Sequence, residues 1–300
     1  MRHNNGLTGV VGAAITPITP DFTPDVDRLF AHCTHMLDQG CAYTSVFGTT
    51  GEGASFSPRQ KIDALRQLAA LGLDMSHQIP GIMESSIDAA AEQYRAAADL
   101  GVRAALIIPP FYYTPSDADA VADFYAAVVA RAGSPDLNIV LYNFPAFSGV
   151  TFTPDLVRRV VARLGTRVIG IKDSTGDLDA GLALIAAFPD LAIFTGDDRL
   201  VTRMVAAGGA GMIGGMVNLF PAECVALFNG QASQDAQDLA TSRIVTVNDT
   251  GGLPAIKAVL GLRHDDPAYS RCCPPLRGLT PEASASVLRK LGLEKELAAS

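Results

Sequence analysis

The 300-residue sequence contains no tryptophan, only five cysteines, and no run of about 18 uninterrupted apolar residues of the kind that crosses a membrane. An odd number of cysteines without a CxxC pair is atypical of a secreted disulfide framework and indicates reduced thiols in a cytosol. The run from Leu7 to Ile15 is glycine-rich and lacks the cleavage site of a signal peptide, so we interpret it as a strand. We therefore expect a cytoplasmic protein.

Positive charge is also scarce. The chain has 23 Lys and Arg against 31 Asp and Glu, a formal net charge of -8. This charge argues against nucleic acid and anionic membrane surfaces as partners, because neither attracts an acidic protein. A content of 48% apolar and 18% charged residues is typical of a compact, enzyme-sized domain. Small molecules are therefore the ligands we expect.

Short apolar or β-branched runs alternate regularly with amphipathic segments along the chain. Eight runs predict strands, at 9–16, 43–48, 78–82, 104–109, 138–143, 167–172, 191–196 and 211–215. Segments between them begin with an acidic or hydroxyl residue and end in glycine, as in DVDRLFAHCTHMLDQG and SIDAAAEQYRAAADLG. This punctuation predicts helices between the strands.

The regular alternation favours an α/β fold of one type, the (β/α)8 TIM barrel. Two doubly wound domains would need a linker or a composition break near the middle, and none is present. After strand 8 only helical segments follow, so we predict a barrel at 1–220 and a C-terminal helical appendage at 221–300. In such barrels the reacting side chains project from the C-terminal ends of the strands, and each candidate can be tested against that position.

Lys172 ends the sixth predicted strand, in the segment VIGIKDSTG. A lysine facing the barrel interior loses water, which disfavours the charged ammonium and leaves an amine that can attack a ketone. The protonated Schiff base that results withdraws electrons, so that the neighbouring carbon can lose a proton or a C–C bond can break. The alternative is a lysine that extends to the rim of the barrel or pairs with Asp173.

Tyr142 and the loop after the second strand are the other candidates. Tyr142 ends the fifth strand in YNFPAFSG, and its phenol can donate and accept protons, although tyrosines at strand ends are also common in cores. In the loop FGTTGEG, glycines such as Gly48 allow close backbone approach, N–H groups can bind a carboxylate, and Thr49 and Thr50 can relay a proton. The alternative is a tight turn before the next helix, with Glu52 as a structural carboxylate.

Two further patterns carry less weight. Gly209, Gly211 and Gly214 spell GxGxxG, but a predicted helix precedes them and a strand carries them, the reverse of the dinucleotide-binding context. His32 and His35 lie at i and i+3 on the first predicted helix, without the carboxylates or thiols that would complete a metal site. We predict packed or solvated histidines and no metal.

Four motifs at strand ends resemble the dihydrodipicolinate synthase and N-acetylneuraminate lyase family of class I aldolases. They are GTTGE after strand 2, FYY after strand 4, YNFPAFSG at strand 5 and GIKDSTG at strand 6. The resemblance implies that Lys172 forms a Schiff base with pyruvate or another 2-oxo acid and that Tyr142 shuttles protons. It assigns the substrate carboxylate and part of the proton relay to Thr49 and Thr50.

The resemblance also implies a site shared between subunits. The family's relay is completed by a tyrosine from a neighbouring subunit, which corresponds to Tyr112, with Tyr113 as the alternative. Gly196 after strand 7 and Ile213 on strand 8 are implied to line the site. A homotetramer of tight dimers is expected, with no cofactor or metal beyond the covalent imine.

Three departures from the family pattern bear on the substrate. Dihydrodipicolinate synthases have an arginine five residues after the strand 5 tyrosine, where this chain has Phe147, which cannot bind a carboxylate. Sialic acid lyases carry a serine on strand 8 and an acidic residue after strand 7, where this chain has Gly215 and Arg199.

The remaining likeness is to aldolases of 2-keto-3-deoxy sugar acids, which would release pyruvate and a short hydroxyaldehyde. Three alternatives stay open. They are 4-hydroxy-tetrahydrodipicolinate (dihydrodipicolinate) synthase, a Schiff-base dehydratase of 2-keto-3-deoxy acids, and a non-catalytic metabolite-binding barrel.

Overall fold

The protein is a barrel of eight parallel strands, seen in a computed structural model that describes residues 6–294. The strands are β1 (Gly9–Ala13), β2 (Tyr43–Ser45), β3 (Gly81–Ile82), β4 (Ala105–Ile107), β5 (Ile139–Asn143), β6 (Val168–Asp173), β7 (Ala192–Thr195) and β8 (Gly211–Gly214). They pair in the order β2-β1-β8-β7-β6-β5-β4-β3. The N–H of Ile79 donates to the Thr44 carbonyl over 2.9 Å and closes the barrel between β2 and β3. The predicted (β/α)8 barrel is confirmed.

Helices follow the strands around the outside of the barrel. They are α1 (Val26–Asp38), α2 (Pro58–Ala70), α3 (Ile87–Asp99), α4 (Ala118–Arg131), α5 (Pro145–Ser148), α6 (Pro154–Leu164), α7 (Leu178–Ala187), α8 (Val201–Ala206) and α9 (Pro221–Phe228). The chain continues through α10 (Gln234–Asp249), α11 (Leu253–Arg263), α12 (Pro267–Ser270) and α13 (Pro281–Lys290). The helices expected beyond strand 8 are present. The one-turn helices α5 and α12 escape sequence prediction because one turn shows no periodicity. The division of the chain at residue 220 stays a prediction.

The residues that mark the predicted helix ends also stabilise them. The side chains of Asp25, Ser57 and Ser86 accept backbone N–H groups at the starts of α1, α2 and α3. The glycines that follow four of the helices have φ angles of 71–95°, the left-handed conformation that glycine adopts without strain. These glycines are Gly40, Gly72, Gly101 and Gly133.

Seven of the eight strands are shorter than the apolar runs that predicted them, and β6 has the predicted length but begins and ends one residue later. β1 ends at Ala13, although the run continues to Thr16, because the N–H of Ile15 bonds to Asn218 Oδ1 at 2.9 Å instead of to a neighbouring strand. An apolar run reports burial and does not report where ladder pairing stops. The sequence therefore locates each strand but not its ends.

Apolar side chains fill both sides of the barrel wall. One buried cluster fills the interior and includes Val11, Leu106 and Ile213, and another lies between the strands and the surrounding helices. A third cluster packs Val259 of α11 and residues of α13 against Ile15, just beyond β1. The C-terminal helices thus cover part of the end where the strands terminate.

The remaining global features agree with the composition. All five cysteines are free and buried, and burial raises the pKa of Cys33 and of Cys41 to about 12. Within residues 6–294, no helix has the length and apolarity needed to span a membrane. In the same residues, no three His, Cys, Asp or Glu side chains are grouped so that they could hold a metal ion.

Candidate active site

Lys172 and Tyr142 lie side by side inside the barrel, near the C-terminal ends of β6 and β5. The two residues are direct partners in the parallel register of these strands. Lys172 Nζ donates to Tyr142 Oη at 3.3 Å and lies 4.3 Å from the centre of the phenol ring. Lys172 is 5% exposed and Tyr142 1% exposed. The two candidates from neighbouring strand ends are thus within hydrogen-bond distance of each other.

Lys172 differs from the other two buried lysines in what it contacts. Lys61 is paired with Glu84 at 2.6 Å, and the fully buried Lys257 is paired with Glu52. Among the described residues, no carboxylate lies within ion-pair distance of Lys172. A lysine nitrogen that is not held by a carboxylate stays available to attack a carbonyl carbon.

The alternative of a pair between Lys172 and Asp173 is wrong. Consecutive side chains on a strand point to opposite faces, and Asp173 accepts a hydrogen bond from Asn143 Nδ2 at 2.8 Å. Its other oxygen accepts from Thr175 Oγ1 at 3.1 Å. Burial raises the pKa of Asp173 above its ordinary value, partly offset by these hydrogen bonds. Asp173 therefore links the ends of β5 and β6, and Lys172 contacts Tyr142 instead of Asp173.

A third group extends the chain of contacts. Thr49 Oγ1 lies 3.1 Å from Tyr142 Oη, so that Lys172, Tyr142 and Thr49 form a continuous series of hydrogen-bonding groups. Thr49 belongs to the loop after β2, which folds back on itself through a 2.9 Å bond from the Gly53 N–H to the Gly48 carbonyl. The loop predicted to contribute hydroxyl groups does bring one of them to the phenol.

Gly196 is required by the packing around Lys172. A Cβ at position 196 would collide with Ser174 Oγ and lie 3.3 Å from Lys172 Cε. Ile213, also named from the sequence, is fully buried in the same interior cluster as Tyr142. Ser174 carries no distinguishing sequence signal, since it is one of two adjacent hydroxyl residues, with Thr175, in the turn after β6.

The aromatic residues at the barrel mouth are exposed. Tyr112 is 87% and Tyr113 81% exposed, with their rings 5.1 Å apart edge to face. Phe147 is 63% exposed and packs on Phe144 with ring centres 4.7 Å apart, and Phe144 contacts Tyr142 at 5.7 Å. Within this single chain, the predicted relay member Tyr112 lies on the surface, and Phe147 offers an apolar ring at the entrance.

The features judged less informative agree with the structure. His32 is buried on α1 and contacts Asn218 Oδ1 at 2.8 Å, and burial lowers its pKa to about 4. His35, on the same helix, is exposed. Gly211 and Gly214 lie in β8 and α8 precedes them, so a strand carries the GxGxxG pattern, in the order that the sequence predicts.

Asp198, in the loop after β7, should make stability depend on pH. Burial, with the nearby charge of Asp197, raises its pKa to about 7, and it lines a cavity of about 260 Å³ between α9 and α10. Because this pKa exceeds the value in the unfolded chain, the contribution of the Asp198 carboxyl to the free energy of unfolding is complete below about pH 4 and is lost as pH rises through about 7.

Asp198→Asn removes this titration and keeps the side-chain shape. The free energy of unfolding of the variant minus that of the parent should therefore be about 3 kcal/mol larger at pH 8 than at pH 5. Urea unfolding of both proteins at the two pH values measures the difference. If the two proteins differed in free energy of unfolding by the same amount at pH 5 and at pH 8, Asp198 would not have the raised pKa.

Comparisons with known proteins match this geometry. Residues 6–254 match the family model described as the dihydrodipicolinate synthetase family. The chain is 33% identical over 282 residues to an uncharacterised DapA-like lyase of Chloroflexus aurantiacus, covering 92% of this chain and 94% of that protein. It is 31% identical to the crystal structure of a dihydrodipicolinate synthase from Agrobacterium tumefaciens, with a TM-score of 0.88 over 95% of this chain and 98% of that one.

A third comparison extends the fold to another activity. The structure of a Sulfolobus solfataricus 2-keto-3-deoxygluconate aldolase variant has a TM-score of 0.84 at 20% identity, covering 97% of this chain and 98% of that one. At this identity the likeness shows the shared fold alone. On the family match and the identities above 30%, the chain belongs to the dihydrodipicolinate synthetase family of aldolase-type lyases.

Proposed function

We propose that the chain is a pyruvate-dependent class I aldolase that forms a Schiff base between Lys172 and a 2-oxo acid. The observation that supports this most is the buried Lys172 Nζ, which has no ion-pair partner within residues 6–294 and lies 3.3 Å from the Tyr142 phenol that in turn contacts Thr49. This series places a nucleophile beside a group able to move protons. The reaction needs no cofactor or metal in this scheme, because the imine itself withdraws the electrons.

In the first stage, the neutral amine of Lys172 attacks the C2 carbonyl of the 2-oxo acid. Tyr142 protonates the hydroxyl of the resulting carbinolamine, which leaves as water and gives the protonated imine. Tyr142 is left as a phenolate, which the Thr49 hydroxyl stabilises by its hydrogen bond until the next proton transfer. Thr50, Gly48 and the loop N–H groups bind the carboxylate of the 2-oxo acid, as loops rich in glycine and hydroxyl residues can.

In the second stage, Tyr142 removes the proton from the C4 hydroxyl of a 2-keto-3-deoxy acid. The C3–C4 bond breaks, its electron pair moves into the imine to give an enamine, and the C4 fragment departs as an aldehyde. Tyr142 gives this proton to C3 of the enamine, and hydrolysis of the resulting protonated imine by water returns a proton to Tyr142, releases pyruvate and restores the neutral amine of Lys172. Gly196 and Ile213 line the space in which the imine forms.

We propose a 2-keto-3-deoxy sugar acid as substrate, with a neutral hydroxyaldehyde as the second product. Phe147 presents an apolar ring at the entrance, and Arg199, in the segment after β7, is held by Asp197 through bonds of 2.9 Å and 3.1 Å from its Nε. An arginine neutralised in this way offers little to a further carboxylate. A substrate fragment without a second negative charge therefore fits this mouth best.

Tyr112 joins the relay in this proposal only if it comes from another subunit. It lies on the surface with a φ of 83°, in the left-handed region that non-glycine residues seldom adopt. We propose that it enters the site of a neighbouring copy in a cytoplasmic homotetramer, with Tyr113 as the alternative. A tyrosine with a strained backbone, exposed beside a second exposed tyrosine, is well suited to such an interface.

Sodium borohydride reduction in the presence of pyruvate tests the mechanism. One reduced pyruvyl unit per chain should appear on the peptide that contains Lys172, because borohydride converts the imine to a stable secondary amine. Peptide mass spectrometry locates it, with borohydride alone as the control. An unmodified Lys172 at saturating pyruvate would refute the Schiff-base mechanism. The alternative of a metabolite-binding barrel predicts that result.

A substrate panel separates the remaining candidates. The 31% identity to the Agrobacterium tumefaciens dihydrodipicolinate synthase favours 4-hydroxy-tetrahydrodipicolinate synthase as the second candidate. Released pyruvate from 2-keto-3-deoxy acids supports the aldolase, whereas condensation of pyruvate with aspartate semialdehyde supports the synthase. Loss of water without release of pyruvate would identify a dehydratase.

A further inference from the structure

The loop that carries Thr49 and Thr50 is attached to the C-terminal helices by a buried ion pair. Lys257 of α11 donates from Nζ to Glu52 Oε1 and, at 2.9 Å, to the carbonyl of Thr16. The second oxygen of Glu52 accepts the N–H of Cys273 at 2.7 Å. The two side chains are 0% and 1% exposed. One ion pair thus joins the end of β1, the loop after β2 and the segment after α12.

The backbone of Glu52 is hydrogen-bonded to Thr49, the residue that contacts the Tyr142 phenol. Its N–H donates to the Thr49 carbonyl at 3.1 Å, so that one tight turn separates the buried carboxylate from the Thr49 hydroxyl. Glu52 has a φ of 53°, a left-handed conformation that its side chain disfavours. The ion pair offsets this strain, and its loss should release the turn that orients Thr49.

The same helix also approaches Thr50. Ile256, the residue before Lys257, has its Cδ1 3.4 Å from the position that a Cβ of Gly215 would take, and Thr50 Oγ1 is 3.5 Å from that position. Thr16 Oγ1 donates to the Gly51 carbonyl at 2.7 Å and ties the middle of the loop to β1. Thr49 is thus hydrogen-bonded to Glu52, the partner of Lys257, and Thr50 lies close to Ile256, the residue before Lys257.

We infer that Glu52 and Lys257 are positioning residues, which fix the hydroxyls of Thr49 and Thr50 and thereby set the affinity for the 2-oxo acid carboxylate. This inference rests on the proposed function. Neither side chain reaches the reacting atoms. Removing one partner leaves the other charge buried and unpaired, so the surrounding segments must rearrange to hydrate it.

Lys257→Met tests the inference through binding as well as turnover. The pyruvate concentration that half-saturates borohydride trapping should rise about tenfold or more, since carboxylate hydrogen bonds are lost when the loop shifts. Trapping at saturation should still reach one unit per chain. The KM for the second substrate, measured at saturating pyruvate, should stay unchanged. Glu52→Gln keeps an acceptor for the Cys273 N–H, so it should raise the half-saturating pyruvate concentration by a smaller factor. It replaces Lys257→Met as the test if that variant does not fold.

Leu288→Ala on α13 is the matched control. Leu288 is buried in the same C-terminal cluster as Ile256 but is not part of the ion pair, so it should lower the melting temperature and leave half-saturation by pyruvate unchanged. The inference is overturned if both ion-pair variants retain the parent's half-saturation, or if Leu288→Ala shifts it equally. Absence of trapping in the unaltered chain would instead refute the proposed function, so the two failures are distinguishable.

Discussion

Replacing Lys172 with methionine is expected to lower kcat by at least about 10⁴-fold, because Lys172 is the amine that the proposed mechanism converts to the imine. The same change should raise stability by about 1–2 kcal/mol, since a buried amine that has no ion-pair partner in the described part of the chain gives way to an apolar side chain of similar length. Turnover of the accepted 2-keto-3-deoxy acid and urea unfolding measure the two effects. Opposite changes in activity and stability would mark Lys172 as a residue kept for chemistry.

Lys61→Met provides the comparison for the stability effect. Lys61 is as buried as Lys172, but it is paired with Glu84 and also donates to the Gly53 carbonyl at 2.8 Å. Removing it strands a half-buried carboxylate and should cost about 3–5 kcal/mol. If Lys172→Met instead destabilised the protein as much as Lys61→Met does, Lys172 would be a structural lysine, and its role in the proposal would fail.

The placement of Lys172 and Tyr142 could be predicted because it follows from periodicity. Apolar runs of strand length locate β5 and β6, and a parallel barrel brings the C-terminal ends of neighbouring strands together. Two residues near those ends must then lie close, whatever the details of packing. The choice between a free Lys172 and a pair with Asp173 was left open, and the alternation of side chains along β6 decides it.

Contacts made by distant segments could not be predicted in the same way. In the sequence Glu52 is only a candidate structural carboxylate and Lys257 carries no signal, because the two residues are 205 positions apart and neither belongs to a local pattern. The roles of Tyr112 and of the mouth residues depend on a second subunit and on loop conformation. Sequence periodicity reports which face of an element is buried and contains no information on such pairings.

Tyr142→Phe is expected to lower kcat about 10²- to 10³-fold while the amount of imine trapped at equilibrium stays near one per chain. The phenyl ring keeps the packing beside Phe144, and only the hydroxyl that contacts Lys172 and Thr49 is lost. Stability should fall by no more than about 1 kcal/mol. Trapping as a function of time separates slow proton transfer, which delays imine formation, from lost binding, which reduces the final amount.

Thr49→Val and Tyr125→Phe complete the test of the relay. Tyr125 is fully buried and donates to the Ile107 carbonyl at 3.0 Å, so its change to Phe removes a comparable hydrogen bond outside the site and should leave kcat unchanged. Because Thr49 acts through Tyr142, adding Thr49→Val to Tyr142→Phe should cost little beyond the single Tyr142 change. Additive losses in the double variant would mean that the two hydroxyls act separately, and the series from Lys172 through Tyr142 to Thr49 would then not be a proton relay.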